Sequence, residues 1–100
     1  MQTAIQAISS PRRRQILKLV YKKELPAGEI ARHFDVTWSA VSQNIRILVD
    51  AGLLEERRDG VQRLYRVNAK TARPLEQVLR AMWTEDLKNL KPAVERGSGK

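Results

Sequence analysis

Trp38, Ser39, Ser42, Gln43 and Arg46 recur along one side of a helical repeat, while Val41, Ile45 and Leu48 recur along the other. An amide bonds an adenine edge through two atoms, a guanidinium bonds a guanine edge, and a hydroxyl takes either role. The polar side therefore has the chemistry to read nucleobases, although a plain solvated surface would show the same pattern. Trp38 suits a sugar or a thymine methyl, and equally a place in the core. Thr37 fits the N-cap of this helix, and with the free N–H groups beside it can hold a phosphate.

Two further groups carry charge. Arg57 and Arg58 stand before Asp59-Gly60, and Arg63 and Arg66 after it. Like charges opposed across a two-stranded ribbon repel. Phosphates or a narrow minor groove would neutralise them, as would Glu55, Glu56 and Asp59 from within. Arg12, Arg13 and Arg14 crowd the first turn of a helix, where the macrodipole disfavours cations. An external phosphate or an internal carboxylate would relieve that, and the three need not share one role.

Other chemistry finds no residues. There is no nucleophile–base pair, glycine-rich phosphate loop or pair of carboxylates in a nameable cleft, so no catalytic residue is assigned and the chain does not read as an enzyme. Cysteine is absent and His33 is the one imidazole. A zinc site wants about four ligands, often nitrogen or sulfur, so neither a metal site nor a cofactor is expected.

The elements that must position these residues follow from period and punctuation. Ala4, Ile5 and Ile8 suggest a short first helix. Ser10-Pro11 reads as an N-cap with proline at the first helical position, opening a helix over 12–23. Leu25-Pro26 breaks it and opens a short helix over 26–34, with Ala27, Ile30, Ala31 and Phe34 facing inward. Asp35-Val36 makes a tight turn into the helix 37–50, which Gly52 ends. This pair has the layout of a helix-turn-helix.

The period then changes to that of strands over 53–58 and 61–67, joined by Asp59-Gly60 with both turn positions wanting positive φ. Tyr65 and Val67 are expected to face the helices. From Thr71 the helical period returns through Leu75, Val78, Leu79, Met82, Trp83, Leu87 and Leu90, with Pro74 in the first turn and Lys91-Pro92 ending or bending the helix. The predicted fold is mainly α with a two-stranded β-hairpin, in the order α-α-α-α-β-β-α. It forms one domain over 1–92, and 93–100 reads as a flexible polar tail.

Totals agree with that reading. Hydrophobic residues make up 42% of 100, enough for a core. Nineteen Lys and Arg against eleven Asp and Glu give +8 and a pI near 10.5, a balance that favours polyanionic partners. Residues 1–70 hold thirteen basic and seven acidic side chains, so the excess sits with the unusual helix. The first ten residues do not resemble a signal peptide, and no run of about 18 apolar residues occurs. A cytoplasmic protein without a membrane partner is expected.

The stretches SSPRRRQILKLV, ELPAGEIARHFDVTWSAVSQNIRILVDAGLL and EERRDGVQRLYRV together resemble the ArsR/SmtB family of bacterial winged-helix repressors, from about Ile8 to Leu90. The resemblance implies a homodimer joined by its first and last helices, recognition helices in adjacent major grooves of an inverted repeat, and repression by occupying the operator–promoter region. Metal-sensing members of that family carry a motif such as ELCVCDL where this chain has Glu24 to Ile30, with Pro26 and Gly28 at the cysteine positions. The family's other metal site uses Asp and His in the last helix; here that helix holds Glu76, Glu85 and Asp86 but no histidine. The chain is thus similar to non-metal members, with the inducer unspecified.

The expected partners are double-stranded DNA and a second copy of the chain. For DNA these are Thr37, Trp38, Ser39, Ser42, Gln43 and Arg46 on the recognition helix, with Arg57, Arg58 and Arg63 on the wing. For the second copy they are Ile5, Ile8, Leu79, Met82, Trp83, Leu87 and Leu90, more apolar positions than one subunit covers comfortably; an intramolecular core against the helix 12–23 is the alternative, and both uses are expected. The competing reading is a winged-helix module that docks protein or RNA without duplex sequence preference.

Overall fold

The computed structural model describes the backbone of residues 3–98 and the side chains of residues 3–88. Helix α1, Ala4–Ala7, starts in a capping box between Thr3 and Gln6. Helix α2, Pro11–Lys22, has Ser10 as its N-cap and Pro11 at its first position, as the sequence suggests. Its residues Ile16, Leu17 and Val20 enter the core.

Leu25-Pro26 breaks the helical path and also forms a strand. This two-residue strand, β1, pairs antiparallel with a later strand through Leu25↔Tyr65 and Pro26↔Leu64. The sheet is therefore three-stranded, in the order β1-β3-β2, where a two-stranded hairpin was expected. Proline tolerates this place because an edge strand does not need its missing N–H. Helix α3 is only Ala27–Ala31, shorter than the expected 26–34. Residues 32–37 form the connection to helix α4, Trp38–Asp50.

Helix α4 buries Val41, Ile45 and Leu48 and starts at Thr37, whose hydroxyl accepts from the Ala40 N–H at 3.1 Å. Burying three such side chains contributes about 1.5–3 kcal/mol each as an upper estimate. Its end is a Schellman motif: the Leu53 N–H reaches the Leu48 carbonyl and the Gly52 N–H reaches the Val49 carbonyl. Gly52 holds φ at +80°, a conformation costly to any side chain.

Strands β2, Leu54–Asp59, and β3, Gln62–Val67, form the wing. Their turn corrects an expectation. Asp59 pairs with Gln62, so the two central residues are Gly60 and Val61, and Gly60 alone has positive φ, at +67°. That is the sign pattern of a type II′ turn, which needs glycine only at its first centre; β-branched Val61 could not take the second left-handed place. Tyr65 is buried and Val67 half-buried, while Arg66 is exposed, so the expected face closes on the helices.

After the wing, Asn68 caps a four-residue helix α5, Ala69–Ala72, and a 3-10 turn, Arg73–Leu75, carries Pro74. The long helix α6 then runs Glu76–Ser98. Its helical backbone continues past Lys91-Pro92 to Ser98. An interior proline removes one hydrogen bond and crowds the previous turn, a local cost that an already propagating helix can absorb. Helix α2 packs on α4, α6 and β3 at the centre of the molecule. Among the described residues, no helix is long and apolar enough to cross a membrane.

Candidate nucleic-acid interface

The polar side of α4 is outside. Ser39, Ser42, Gln43 and Arg46 are exposed, and Trp38 is 57% exposed, which removes the core reading of that tryptophan. These five residues line one shallow groove. A second groove, lined by Pro26, Gly28, Glu29, Trp38, Ser42 and Arg63 among others, leads from α3 past α4 to the wing. Trp38 and Ser42 belong to both. Helix α4 and the wing thus share one continuous surface. Thr37, exposed at the start of this surface, is the cap: its hydroxyl accepts from the Ala40 N–H and keeps its proton to donate.

Three of the four wing arginines have carboxylate partners within the fold. Arg57 binds Glu24 through both carboxylate oxygens at 2.7 and 2.8 Å. Arg63 meets Glu56 at 3.1 Å and Arg66 meets Glu55 at 2.9 Å. The hydrogen bond from Arg57 holds the Glu24 carboxyl below its ordinary pKa, and Glu24 in turn raises that of Arg57. Internal neutralisation, left open by the sequence, therefore covers Arg57 and Arg63, which were expected on DNA. Among the described residues Arg58 has no carboxylate partner, and it lies directly opposite Arg63 in the register. Beside it the turn presents Val61, 98% exposed, a residue that sequence reasoning passed over because one valine carries no pattern.

The three arginines of α2 separate as well. Arg12 is exposed. Arg13 and Arg14 serve the helix before their own: Arg13 Nε donates to the Ala7 carbonyl at 2.6 Å and Arg14 Nη1 to the Ile8 carbonyl at 2.8 Å. They are unfavourably placed for the α2 dipole and favourably for the C-terminus of α1. Arg14 also forms a bidentate pair with Asp86 at 2.7 Å, shielded from solvent.

Residues 8–57, half of the chain, match a family described as a helix-turn-helix domain. The transcriptional repressor SdpR of Bacillus subtilis is 35% identical over 68 residues, 68% of this chain and 76% of that protein. The arsenical resistance operon repressor of Staphylococcus xylosus is 30% identical over 86 residues, 86% of this chain and 83% of that one. A solution structure from Mycobacterium bovis, the homodimeric winged helix-turn-helix DNA-binding domain of a possible ArsR-family transcriptional regulator, superposes with a TM-score of 0.71 at 28% identity, covering 82% of this chain and 76% of that one. The chain belongs to the ArsR family of winged helix-turn-helix transcriptional regulators.

In this ArsR-family chain the apolar residues expected at the dimer contact divide into two classes. Ile5 and Leu87 are exposed at 68% and 61%. Ile8 and Leu79 are fully inside the subunit core, and neither can meet a second copy directly. The reason is that α1 and α6 each carry an inward apolar face, and spacing alone does not say which apolar residue is turned inward. Met82 and Trp83 are half-buried against the core. Trp83 donates its indole N–H to the Arg14 carbonyl at 2.8 Å and meets Tyr21 edge-on with centroids 5.4 Å apart. Val78, which the expectation omitted, is 46% exposed. Leu90 lies outside the described side chains.

At the positions where the resemblance would place a metal sensor's cysteines, Pro26 is the N-cap of α3 and Gly28 is within it. Neither residue has a ligating atom in its side chain. Glu24, next to them, is committed to Arg57. His33 is exposed, and among the described residues no three His, Asp or Glu side chains converge.

Proposed function

We propose that this regulator is a sequence-specific repressor that binds an inverted-repeat operator in double-stranded DNA as a homodimer, with no metal signal. The observation that carries the reading is the exposed row Trp38, Ser39, Ser42, Gln43 and Arg46, joined by a continuous groove to a wing whose Arg58 has no carboxylate partner among the described residues. A helix-turn-helix sets the N-terminal half of its second helix against base edges, and that half holds four of the five. The repressor named among its relatives and the homodimeric solved neighbour support the same reading. The metal-independent part rests on Pro26 and Gly28. Work on operator DNA would place the protein in the cytoplasm.

A two-fold dimer implies half-sites about one helical turn apart, roughly 10 bp centre to centre. Selection from random duplexes at about 150 mM salt, where non-specific contacts are weakened, tests this directly. Enrichment of an inverted repeat with that spacing is expected. Failure to enrich any duplex would replace the reading with a docking module for protein or RNA, for which Trp38 and Val61 supply exposed apolar contacts. Zinc or arsenite added to the selected complex is expected to leave it intact; release at micromolar metal would refute metal independence.

A further inference from the structure

Arg13 is not explained by base reading or by the wing. The last carbonyls of α1 lie within reach of the start of α2, and that of Gln6 already accepts from Ser9. Arg13 takes two of them, Ala7 at 2.6 Å and Gln6 at 3.4 Å. Its remaining reach goes elsewhere: Nη1 donates to Asn44 Oδ1 on α4 at 3.2 Å. Asn44 is itself oriented, because its Nδ2 donates to the Ala40 carbonyl at 2.9 Å. The N–H of that same Ala40 is the group capped by Thr37. Arg14, one residue on, ties the Ile8 carbonyl to both oxygens of Asp86 on α6. Two adjacent arginines thus connect the recognition helix, the end of α1 and α6 in one hydrogen-bonded chain.

We propose that Arg13 is a positioning residue for base recognition: through Asn44 it fixes the roll of α4 about its own axis relative to α2 and the end of α1. Burial of Val41, Ile45 and Leu48 holds α4 against the core, but apolar burial has no direction. Close packing limits the roll of a helix on such a seam but does not select one angle as a directional bond does. A hydrogen bond loses its strength when bent or stretched, so the Arg13–Asn44 bond resists that roll. Reading a base edge demands side chains held to about 0.5 Å, while contact with phosphates is far more tolerant. The consequence is selective: without the bond, discrimination fails before DNA attachment does. This rests on the DNA-reading function proposed above.

Asn44→Ala tests it, since alanine is the strongest helix former and keeps α4 intact. Asn44→Asp retains an acceptor for Arg13. Binding to the selected operator and to a scrambled duplex is measured by fluorescence anisotropy, with amide hydrogen exchange of α4 recorded on the free protein. Asn44→Ala is expected to lower operator affinity about tenfold and to leave scrambled-duplex affinity within about twofold. Exchange at residues 41–46 should rise while the α2 core stays protected, and Asn44→Asp, which keeps the acceptor for Arg13, should recover most of the exchange protection. Unchanged operator affinity, an equal loss on both duplexes, or unaltered α4 exchange would overturn the positioning role. If wild-type protein prefers no duplex, the DNA-reading function falls alone, and the exchange comparison still decides whether Arg13 holds α4.

Discussion

The side chains of the recognition face differ in the atoms they offer, and their loss should differ accordingly. Gln43→Ala and Arg46→Ala are each expected to cost about 1–3 kcal/mol at one base position and to relax preference there. Repeating the duplex selection with each variant checks this; uniform weakening on every sequence would reassign them to the phosphates. On the wing, Arg58→Ala should lower the slope of log affinity against log salt by about one. Arg57→Ala should change it less, because Glu24 already neutralises Arg57. Binding titrations across salt compare the two. The Arg57–Glu24 clamp also has a sign in pH. The carboxyl pKa is lowered in the fold, so its stabilising contribution is present above the ordinary carboxylate range and is lost as pH falls through the lowered value. Carbon-detected NMR titration should find the Glu24 midpoint below that of a free glutamate, and Arg57→Gln should bring it back up.

At the scale of elements, α4 is an independent device: a threonine cap, an apolar seam and a glycine stop. Thr37→Ala removes the cap and is expected to cost about 1 kcal/mol. Thr37→Asp keeps the cap but sets a carboxylate where the phosphate backbone would pass. Its thermal midpoint should match wild type while operator affinity drops. Calorimetry and anisotropy on the same samples separate the two effects, and full operator affinity in Thr37→Asp would remove the start of α4 from the interface. The short strand β1 is the element that joins wing to helix-turn-helix. Through Leu25↔Tyr65 and Pro26↔Leu64 it ties the chain just ahead of α3 to the wing strand that carries Arg63 and Arg66.

For the whole molecule the proposed homodimer raises the question of which apolar residues would hold two copies together and which hold one copy together. Ile5→Glu and Leu87→Glu replace exposed side chains, so each subunit should fold while the dimer weakens. Leu79→Glu would bury an unpaired charge in the core, which is strongly destabilising. Sedimentation equilibrium with circular dichroism is expected to show folded monomers for the first two and unfolded chain for the third. A dimer unaffected by both exposed substitutions would place the contact elsewhere on the surface.

The recognition helix was legible in the chain itself, because burial of Val41, Ile45 and Leu48 and exposure of the residues between them are one periodic fact, bounded by a capping threonine and a stopping glycine. The wing was legible for the same reason, its period of two changing at a glycine turn. Pairing across the fold was not. The strand at Leu25-Pro26 exists only because β3 lies beside it, and two residues carry no period. The partners of Arg13, Arg14 and Arg57 stand 31, 72 and 33 positions away in sequence, and charge pattern alone is equally consistent with phosphates. Ile8 and Leu79 likewise share their residue types with exposed Ile5 and Leu87. Local periodicity determines which side of an element is apolar; what that side meets is decided only when the elements are packed, since distant contacts leave no regular trace along the chain.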